Sequence, residues 1–144
     1  MTESNKKYFT LAEANQMIPS VEGSFRRIFQ MNIKINQLVT HLKLNQVDPS
    51  IIMINQENEF DEETLDAVTS IKVMLNTIQK EVDAIKQLGI LVKNVEKGYL
   101  HFNSKAGNDD IVLCWEMGDQ TIQHWQDITN KQKPINDLVN TIID

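Results

Sequence analysis

The chain has 144 residues, and its 41% hydrophobic content is typical of a folded protein and too high for an intrinsically disordered one. Its net charge of −6 disfavours a general nucleic-acid binder or a partner of anionic membranes, because both bind through an excess of Lys and Arg. A lone cysteine, the absence of an apolar signal core and the absence of an apolar run of about 18 residues predict a cytoplasmic protein, and the length predicts one domain over residues 1–144.

The first predicted helix begins with a capping box. The Thr10 hydroxyl can accept from the Glu13 backbone N–H, and the Glu13 carboxylate can reach back to the Thr10 N–H, so we expect the helix to begin at Leu11. Pro19 removes a backbone donor and clashes with the preceding turn. The sequence therefore predicts a short helix over residues 11–18, a break or kink, and a long helix from about Ser20.

The long helix carries a heptad stripe, because its apolar positions alternate between spacings of four and three. These positions are Val21, Phe25, Ile28, Ile35, Val39 and Leu42. Asn32 occupies the missing place. It could fix the register or oligomeric state of the helix, or it could lie at the edge of a drifting stripe, and we favour the second interpretation.

A second long helix follows a segment, residues 45–60, whose pattern fits a turn, a helix or a strand. Asp61, Glu62 and Glu63 give this helix a negatively charged first turn, which its dipole favours, and Gly89 ends it. Its predicted apolar stripe consists of Val68, Ile71, Leu75, Ile78, Val82, Ile85 and Leu88. Two long helices with matched stripes predict an antiparallel helical hairpin over about residues 11–88.

After Gly89 the pattern changes to short strands. They are predicted at Ile90–Val92 with Val95, at Tyr99–Phe102, at Ile111–Glu116 and at Thr121–Asp127, with an exposed loop at Ser104–Asp110. Short connections imply an antiparallel meander over about residues 90–128. A polar turn at residues 130–134 leads into a terminal helix at about residues 134–143, with Pro134 first. The predicted fold class is α+β: a long antiparallel helical hairpin packed with a small C-terminal antiparallel β-sheet, and short terminal helices.

An ordered set of short motifs resembles a prokaryotic family of unknown function, DUF2203. The resemblance begins with the segment Tyr8–Asn15 followed by Ile18-Pro19, and it ends with Pro134-Ile135. Between them lie similar stretches at Leu88–Lys93, Glu96–Phe102, Leu113-Cys114-Trp115, Gly118-Asp119, Ile122 and Trp125. The resemblance implies a fold and a set of matching positions, and it brings no activity.

The sequence departs from the family pattern at two positions. Gln126 stands where the family usually has a histidine, so a metal-binding or acid–base role of that histidine is not expected here. Lys131 or Lys133 stands where the family usually has an arginine.

Residues 112–125 hold both tryptophans and the only cysteine, and they supply most candidates for a ligand-binding pocket. These candidates are Tyr99, Cys114, Trp115, Glu116, Asp119 and Trp125. The alternative is that the aromatic side chains fill the core, which is the commoner role of aromatics at such spacing. Cys114 could be a nucleophile, but its place between two apolar residues of a strand favours a packing role.

A metal site receives weaker support. His101, Cys114 and His124 lie on three consecutive predicted strands, and zinc would suit such ligands if the three faced one side. No local metal-binding spacing is present, so no metal is predicted and the cofactors stay unknown.

The sequence contains no catalytic triad, phosphate loop or dinucleotide fingerprint, so the leading hypothesis is a non-enzymatic binding or assembly module. Its apolar stripes favour a protein partner or self-association, with a symmetric homodimer as the commonest outcome. The alternative is a small-ligand or metal-binding protein, with or without enzymatic activity, that uses the hairpin around Cys114 and Trp115. A third hypothesis is a regulatory protein that uses its acidic second half, with eight basic and fourteen acidic residues in 61–144, against a basic partner.

Overall fold

Two long helices precede a five-stranded sheet in the computed structural model, which describes residues 6–48, 50 and 60–138. The elements are α1 (Leu11–Leu44), α2 (Glu62–Gln87), β1 (Leu91–Asn94), β2 (Tyr99–Ala106), β3 (Asp109–Glu116), β4 (His124–Gln126) and β5 (Gln132–Pro134). Residues 135–138 are again helical, up to the end of the described part. The predicted α+β class is confirmed. The alternatives for residues 51–54 and the end of the terminal helix lie outside the described residues.

The chain divides into two compact units. One comprises residues 26–81, and the other comprises residues 1–25 together with 82–144. We call them the hairpin unit and the sheet unit. The assignment of the chain to one domain stays a prediction. In the described part of the chain, no helix has the length and apolar character needed to cross a membrane.

The first turn of α1 has the predicted cap. The Thr10 N–H donates to Glu13 Oε1 over 2.8 Å, and the Glu13 N–H donates to Thr10 Oγ1 over 3.1 Å. These bonds satisfy two of the donors that a helix start leaves unpaired. Hydrogen bonds from Thr10 also hold the pKa of the Glu13 carboxyl below its ordinary value.

The predicted separate helix over residues 11–18 is wrong, because α1 continues through Pro19. The missing N–H of Pro19 leaves the Asn15 carbonyl without its helical partner. Pro19 lies on the exposed side of the helix, where water can satisfy that carbonyl. Ile18 and Val21 beside it are buried, and their packing favours an uninterrupted helix.

The sheet is an antiparallel meander with the strand order β1-β2-β3-β4-β5, as predicted. Its longest ladder joins β2 to β3 and continues to the pair Ala106 and Asp109. The predicted exposed loop over Ser104–Asp110 is therefore wrong, and only two residues form the turn. Ser104 is buried and donates to the Phe9 carbonyl over 2.6 Å, while Lys105 and Asp110 form a cross-strand ion pair of 3.3 Å.

The predicted polar turn at residues 130–134 is also wrong at its end, because residues 132–134 form β5. Strand β4 is shorter than predicted, and the Trp125 indole N–H donates to the Pro134 carbonyl over 3.1 Å. Pro134 is tolerated because β5 is an edge strand, where one missing donor costs little. The terminal helix consequently begins at residue 135, one position later than predicted.

The core of the sheet unit lies on one face of the sheet, which we call the inner face. Leu100, Phe102, Leu113 and Trp115 occupy it and are fully buried. The Phe102 ring meets Phe9 edge to face with centroids 5.3 Å apart, and Trp115 lies 6.2 Å from Phe25 of α1. The Ile122 N–H donates to Asn15 Oδ1 over 2.7 Å, which fixes the chain after β3 against α1.

In the hairpin unit, the second half of α1 and most of α2 pack antiparallel. Its buried cluster consists of Ile35, Leu42, Ala67, Val68 and Ile71. Arg27 lies 2.9 Å from Glu81, and His41 lies 3.1 Å from Glu63, so the start of one segment meets the end of the other. The predicted hairpin is confirmed.

The α2 stripe is wrong at two positions. Leu75 and Leu88 are exposed, and Met74 packs against the buried cluster of the hairpin unit in place of Leu75.

Candidate functional site

The six predicted ligand-binding residues do not form one site, because they lie on both faces of the sheet. Side chains alternate along a strand, and directly paired residues on neighbouring strands share a face. Trp115 pairs with Leu100, and Trp125 pairs with Leu113, which places both tryptophans on the inner face. Tyr99 pairs with Glu116, and Cys114 pairs with His101, on the opposite, outer face.

The two tryptophans belong to the core, and their polar atoms are already used. The Trp115 indole N–H donates to the Asp119 carbonyl over 2.8 Å, which ties down the turn after β3. Trp125 is bonded to β5, and the Lys133 ammonium lies 4.9 Å from the centre of its ring. Each tryptophan thus fixes a nearby segment of chain, which is the packing role weighed in the sequence.

Glu116 and Asp119 form a turn. The Glu116 N–H donates to Asp119 Oδ2 over 3.3 Å, and the Asp119 N–H donates to the Glu116 carbonyl over 3.0 Å. A similar arrangement holds the β4–β5 connection, where Lys133 lies 2.6 Å from Asp127. Bonds from Lys133 and Thr129 hold the pKa of the Asp127 carboxyl well below its usual range.

The outer face carries a polar cluster of Tyr99, His101, Cys114 and Gln132, which we call the outer-face cluster. The Tyr99 hydroxyl lies 3.0 Å from His101 Nε2, and the two rings meet edge to face. Tyr99 and Gln132 lie near the Cys114 thiol and partly offset the effect of burial on its pKa. No sequence pattern points to Gln132, because β5 has neither apolar alternation nor β-branched residues.

The environment of the outer-face cluster favours uncharged groups. Burial raises the pKa of Tyr99 to about 12 and also raises the pKa of the Cys114 thiol. Burial, aided by the charge of Lys93, lowers the pKa of His101. A reactive cysteine needs the opposite shift, toward the thiolate. The cluster therefore has the character of a hydrogen-bonded packing patch and lacks that of an activated nucleophile.

The three weak metal candidates lie in one row across the sheet. His101 pairs with Cys114 and Cys114 pairs with His124, so the three share the outer face. His101 Nε2 is in contact with Tyr99, and His124 is exposed. Over residues 6–48, 50 and 60–138, no three His, Cys, Asp or Glu side chains are grouped to hold a metal ion. Gln126, at the position of the family histidine, also lies on this face, paired with Gln132.

The hairpin unit contains an open groove that the sequence analysis did not single out. This hairpin groove lies between α1 and α2 and has a volume of about 910 Å³. Its apolar lining consists of Leu38, Ala67, Val73 and Met74. Its charged lining consists of Lys34 and His41 from α1 and of Glu63 and Asp66 from α2. Spacing alone could not reveal it, because an amphipathic stripe does not show how wide an apolar band the partner helix covers.

The face that contains the groove extends along the hairpin unit. A smaller depression of about 200 Å³ adjoins the groove at Lys34 and is lined also by Met31 and Thr77. The ion pair between Arg27 and Glu81 lies at that end. At the other end, His41 Nε2 lies 3.1 Å from a Glu63 carboxylate oxygen, a contact that is an ion pair when His41 is protonated. The result is one face with an apolar middle and a cross-helix polar contact at each end.

Comparison with known proteins supports the resemblance noted in the sequence. The sequence model of DUF2203, described as an uncharacterized conserved protein, matches residues 7–132. No curated protein and no solved structure matches the chain.

Proposed function

Because this chain belongs to the DUF2203 family of uncharacterized conserved proteins, we propose its function from its geometry. It is a non-enzymatic assembly module that pairs with a second copy of itself through the hairpin groove. The observation that carries this proposal is the open apolar middle of the groove, where Val73 is 59% exposed beside Leu38 and Met74. Contiguous apolar surface of this kind marks interaction sites in soluble proteins.

This surface is open because the hairpin unit has only two helices. Each helix of a pair covers only one side of its neighbour, so an apolar band wider than one seam stays uncovered. Leu38 and Met74 pack against the buried cluster from its edge and also line the groove. A second hairpin laid on this face would complete a four-helix arrangement and cover them.

The face is large enough for a stable contact. A helical segment of about 20 residues is roughly 30 Å long, and two helices side by side are roughly 20 Å wide. The face therefore offers roughly 600 Å² per copy and roughly 1,200 Å² in total, which is at the lower end of the range for specific interfaces.

The charges of the lining favour a second copy as the occupant. The groove presents cationic Lys34 on its α1 side and anionic Glu63 and Asp66 on its α2 side. A partner of one sign would be repelled by one side of the groove, whereas a second copy offers both signs in the same arrangement. Self-complementarity of one surface is what a symmetric dimer requires.

The alternative of a small-ligand site at the sheet has less support. Its candidate residues are divided between the two faces, and Trp115 is 0% exposed. The Cys114 thiol is buried in surroundings that raise its pKa.

We also propose a cytoplasmic location. A buried free thiol, with no second cysteine in the sequence, suits a reducing compartment.

The experiment is a measurement of molar mass by sedimentation equilibrium over a wide range of protein concentration. We expect the wild-type chain to reach the mass of a dimer and Val73→Lys to stay a monomer, because a charge in the apolar middle of the interface loses its hydration on pairing. Ile128→Lys is the matched control: Ile128 is 91% exposed, lies in the sheet unit and should not matter. Circular dichroism checks that both variants keep their helices.

A wild-type chain that remains monomeric at high micromolar concentration would contradict the proposal. So would a Val73→Lys variant that forms dimers as readily as Ile128→Lys.

A further inference from the structure

The two sides of the hairpin groove differ in charge along their whole length. On α1, Arg27, Lys34 and His41 follow one another at intervals of seven residues, which places them on one face of the helix. Arg27 and Lys34 are cationic, and His41 joins them when it is protonated. The α2 side of the same face is acidic and carries Glu63, Asp66 and Glu81.

Two of these charges have no ion-pair partner among the residues that the structure describes. The ion pairs at the two ends of the groove use four of the six side chains. Within the described part of the chain, neither Lys34 nor Asp66 takes part in an ion pair. Both are exposed. The centre of the groove therefore presents one cation from α1 and one anion from α2.

A symmetric dimer can place these charges in two ways. If the two-fold axis runs along the helices, α1 of each copy lies over α2 of the other, and the basic side of each groove faces the acidic side of its partner. If the axis runs across the helices, α1 lies over α1 and α2 over α2, so like charges face each other. Like charges that face each other across an interface disfavour pairing, so the first arrangement is favoured.

We propose that two copies pair in parallel, with the two-fold axis along the helices, and that Lys34 of each copy binds Asp66 of the other. The end pairs make position 34 of α1 level with about position 72 of α2, so Asp66 lies roughly 9 Å along the opposing helix, and the four-carbon side chain of Lys34 must extend along that helix to reach it. At the two ends of the groove, Arg27 of each copy faces Glu81 of the other, and His41 of each copy faces Glu63 of the other. This geometry rests on the proposed self-association and adds its orientation and register.

Charge reversal at the two positions tests the geometry in the full-length chain. In the parallel dimer, Lys34→Glu puts two carboxylates against each other, and Asp66→Lys puts two ammonium groups against each other. Each variant alone should show a dissociation constant raised at least about tenfold. An equimolar mixture of the two restores both oppositely charged contacts. Native mass spectrometry should then show the mixed dimer in clear excess over both homodimers.

Two control mixtures make the result specific. Lys80→Glu, at an exposed lysine of α2 that does not line the groove, should show no preference for Asp66→Lys over its own copies. Lys34→Glu mixed with wild type should form no excess of mixed dimers over the two homodimers, because in the parallel dimer the carboxylate introduced at position 34 faces Asp66 of the wild-type copy. If the axis runs across the helices, that mixture should instead show an excess of mixed dimers, because the introduced carboxylate then faces the basic α1 side of the wild-type copy.

The outcomes separate the two proposals. A preference of Lys34→Glu for wild type overturns the parallel arrangement and leaves the dimer standing. A wild-type dimer that is indifferent to both reversals overturns the Lys34–Asp66 contact alone. A wild-type chain that never associates overturns the proposed function and this inference together. Weaker association of each variant alone, recovery in the mixture of Lys34→Glu with Asp66→Lys, and no preference of Lys34→Glu for wild type together support both.

Discussion

At the scale of the residue, Gly89 shows how one position shapes the exit from α2. Its φ of +90° lies in the left-handed region, and its N–H donates to the Lys86 carbonyl over 3.0 Å. A Cβ added to Gly89 would lie 2.8 Å from the Cβ of Lys7, closer than such atoms approach in proteins. Lys7 cannot withdraw freely, because Phe9 is bonded through its N–H to the Asn103 carbonyl over 2.7 Å.

We therefore expect Gly89→Ala to lower the free energy of unfolding by about 2–4 kcal/mol, from backbone strain and overpacking together. Gly107→Ala is the matched control, because Gly107 also has positive φ but its added Cβ would meet nothing within 4 Å. That variant should lose only about 1–2 kcal/mol. Urea unfolding measures both values. Equal losses would mean that the approach of Lys7 imposes no constraint.

Tyr99 provides a residue-scale prediction about pH. Its pKa is raised from 10.0 to about 12 by burial in the folded protein. Between these values the unfolded chain releases a proton that the folded chain retains, so the free energy of unfolding falls as pH rises through this window. Tyr99→Phe should be less stable at neutral pH by about 1 kcal/mol, from the lost bond to His101, and should lose this part of the slope.

The measurement is urea unfolding at a series of pH values from neutral to strongly alkaline. Tyr8→Phe serves as the control, because it removes the hydroxyl of an exposed tyrosine and leaves Tyr99 in place. If the free energy of unfolding depends on pH in the same way in wild type and in Tyr99→Phe, then Tyr99 is not the group that causes the alkaline loss of stability.

The candidate site is only partly predictable from the sequence. The sequence predicts correctly that residues 112–125 are unusually constrained, because aromatic side chains cluster there. Strand alternation places Cys114 and Trp115 on opposite faces, but the sequence cannot tell that the outer face is buried at Cys114, because that burial depends on Tyr99 and on Gln132. Gln132 comes near Cys114 on a strand whose sequence resembles a polar turn. Long-range pairing created that contact, and no local pattern encodes it.

At the scale of the element, the helices were predicted well where packing follows periodicity and poorly where it drifts. A straight α-helix has 3.6 residues per turn, so a strict seven-residue stripe rotates by about 20° per heptad. In α2, Leu75 is 44% exposed and Met74 packs against the buried cluster in its place, whereas Val82 and Ile85 further along the stripe are buried. The capping box at Thr10 was predictable because all its partners lie within four residues.

Pro19 leads to a prediction about the whole of α1. The helix tolerates a missing hydrogen bond there because the site is exposed and its neighbours are buried. Pro19→Ala restores the N–H to the Asn15 carbonyl and removes the ring from the preceding turn, whereas the proline restricts the unfolded chain. We expect a net gain of about 1–2 kcal/mol in the free energy of unfolding.

Urea unfolding of Pro19→Ala beside Ser20→Ala measures this gain. Ser20 is the next residue along the helix and is exposed too, so its substitution should change stability by less than about 0.5 kcal/mol. A loss of stability in Pro19→Ala would show that the structure depends on a bend at the proline.

At the scale of the whole molecule, self-association would make stability depend on concentration. A partner that binds only the folded chain stabilises it by mass action, so a dimer unfolds at a higher temperature as the protein concentration rises. We expect the midpoint of thermal unfolding to rise by about 2 °C for each tenfold increase in concentration. This rise of the midpoint with concentration would measure pairing through the hairpin groove.

Differential scanning calorimetry of three proteins isolates the contribution of the groove. Wild type and Ile128→Lys should show the same rise of the midpoint with concentration, because Ile128 lies outside the hairpin unit. Val73→Lys should show a midpoint that does not change, because its folded state is a monomer at every concentration. A midpoint that rises equally in Val73→Lys would place the contact elsewhere on the molecule. A flat midpoint in wild type would mean that the folded chain gains nothing from a second copy.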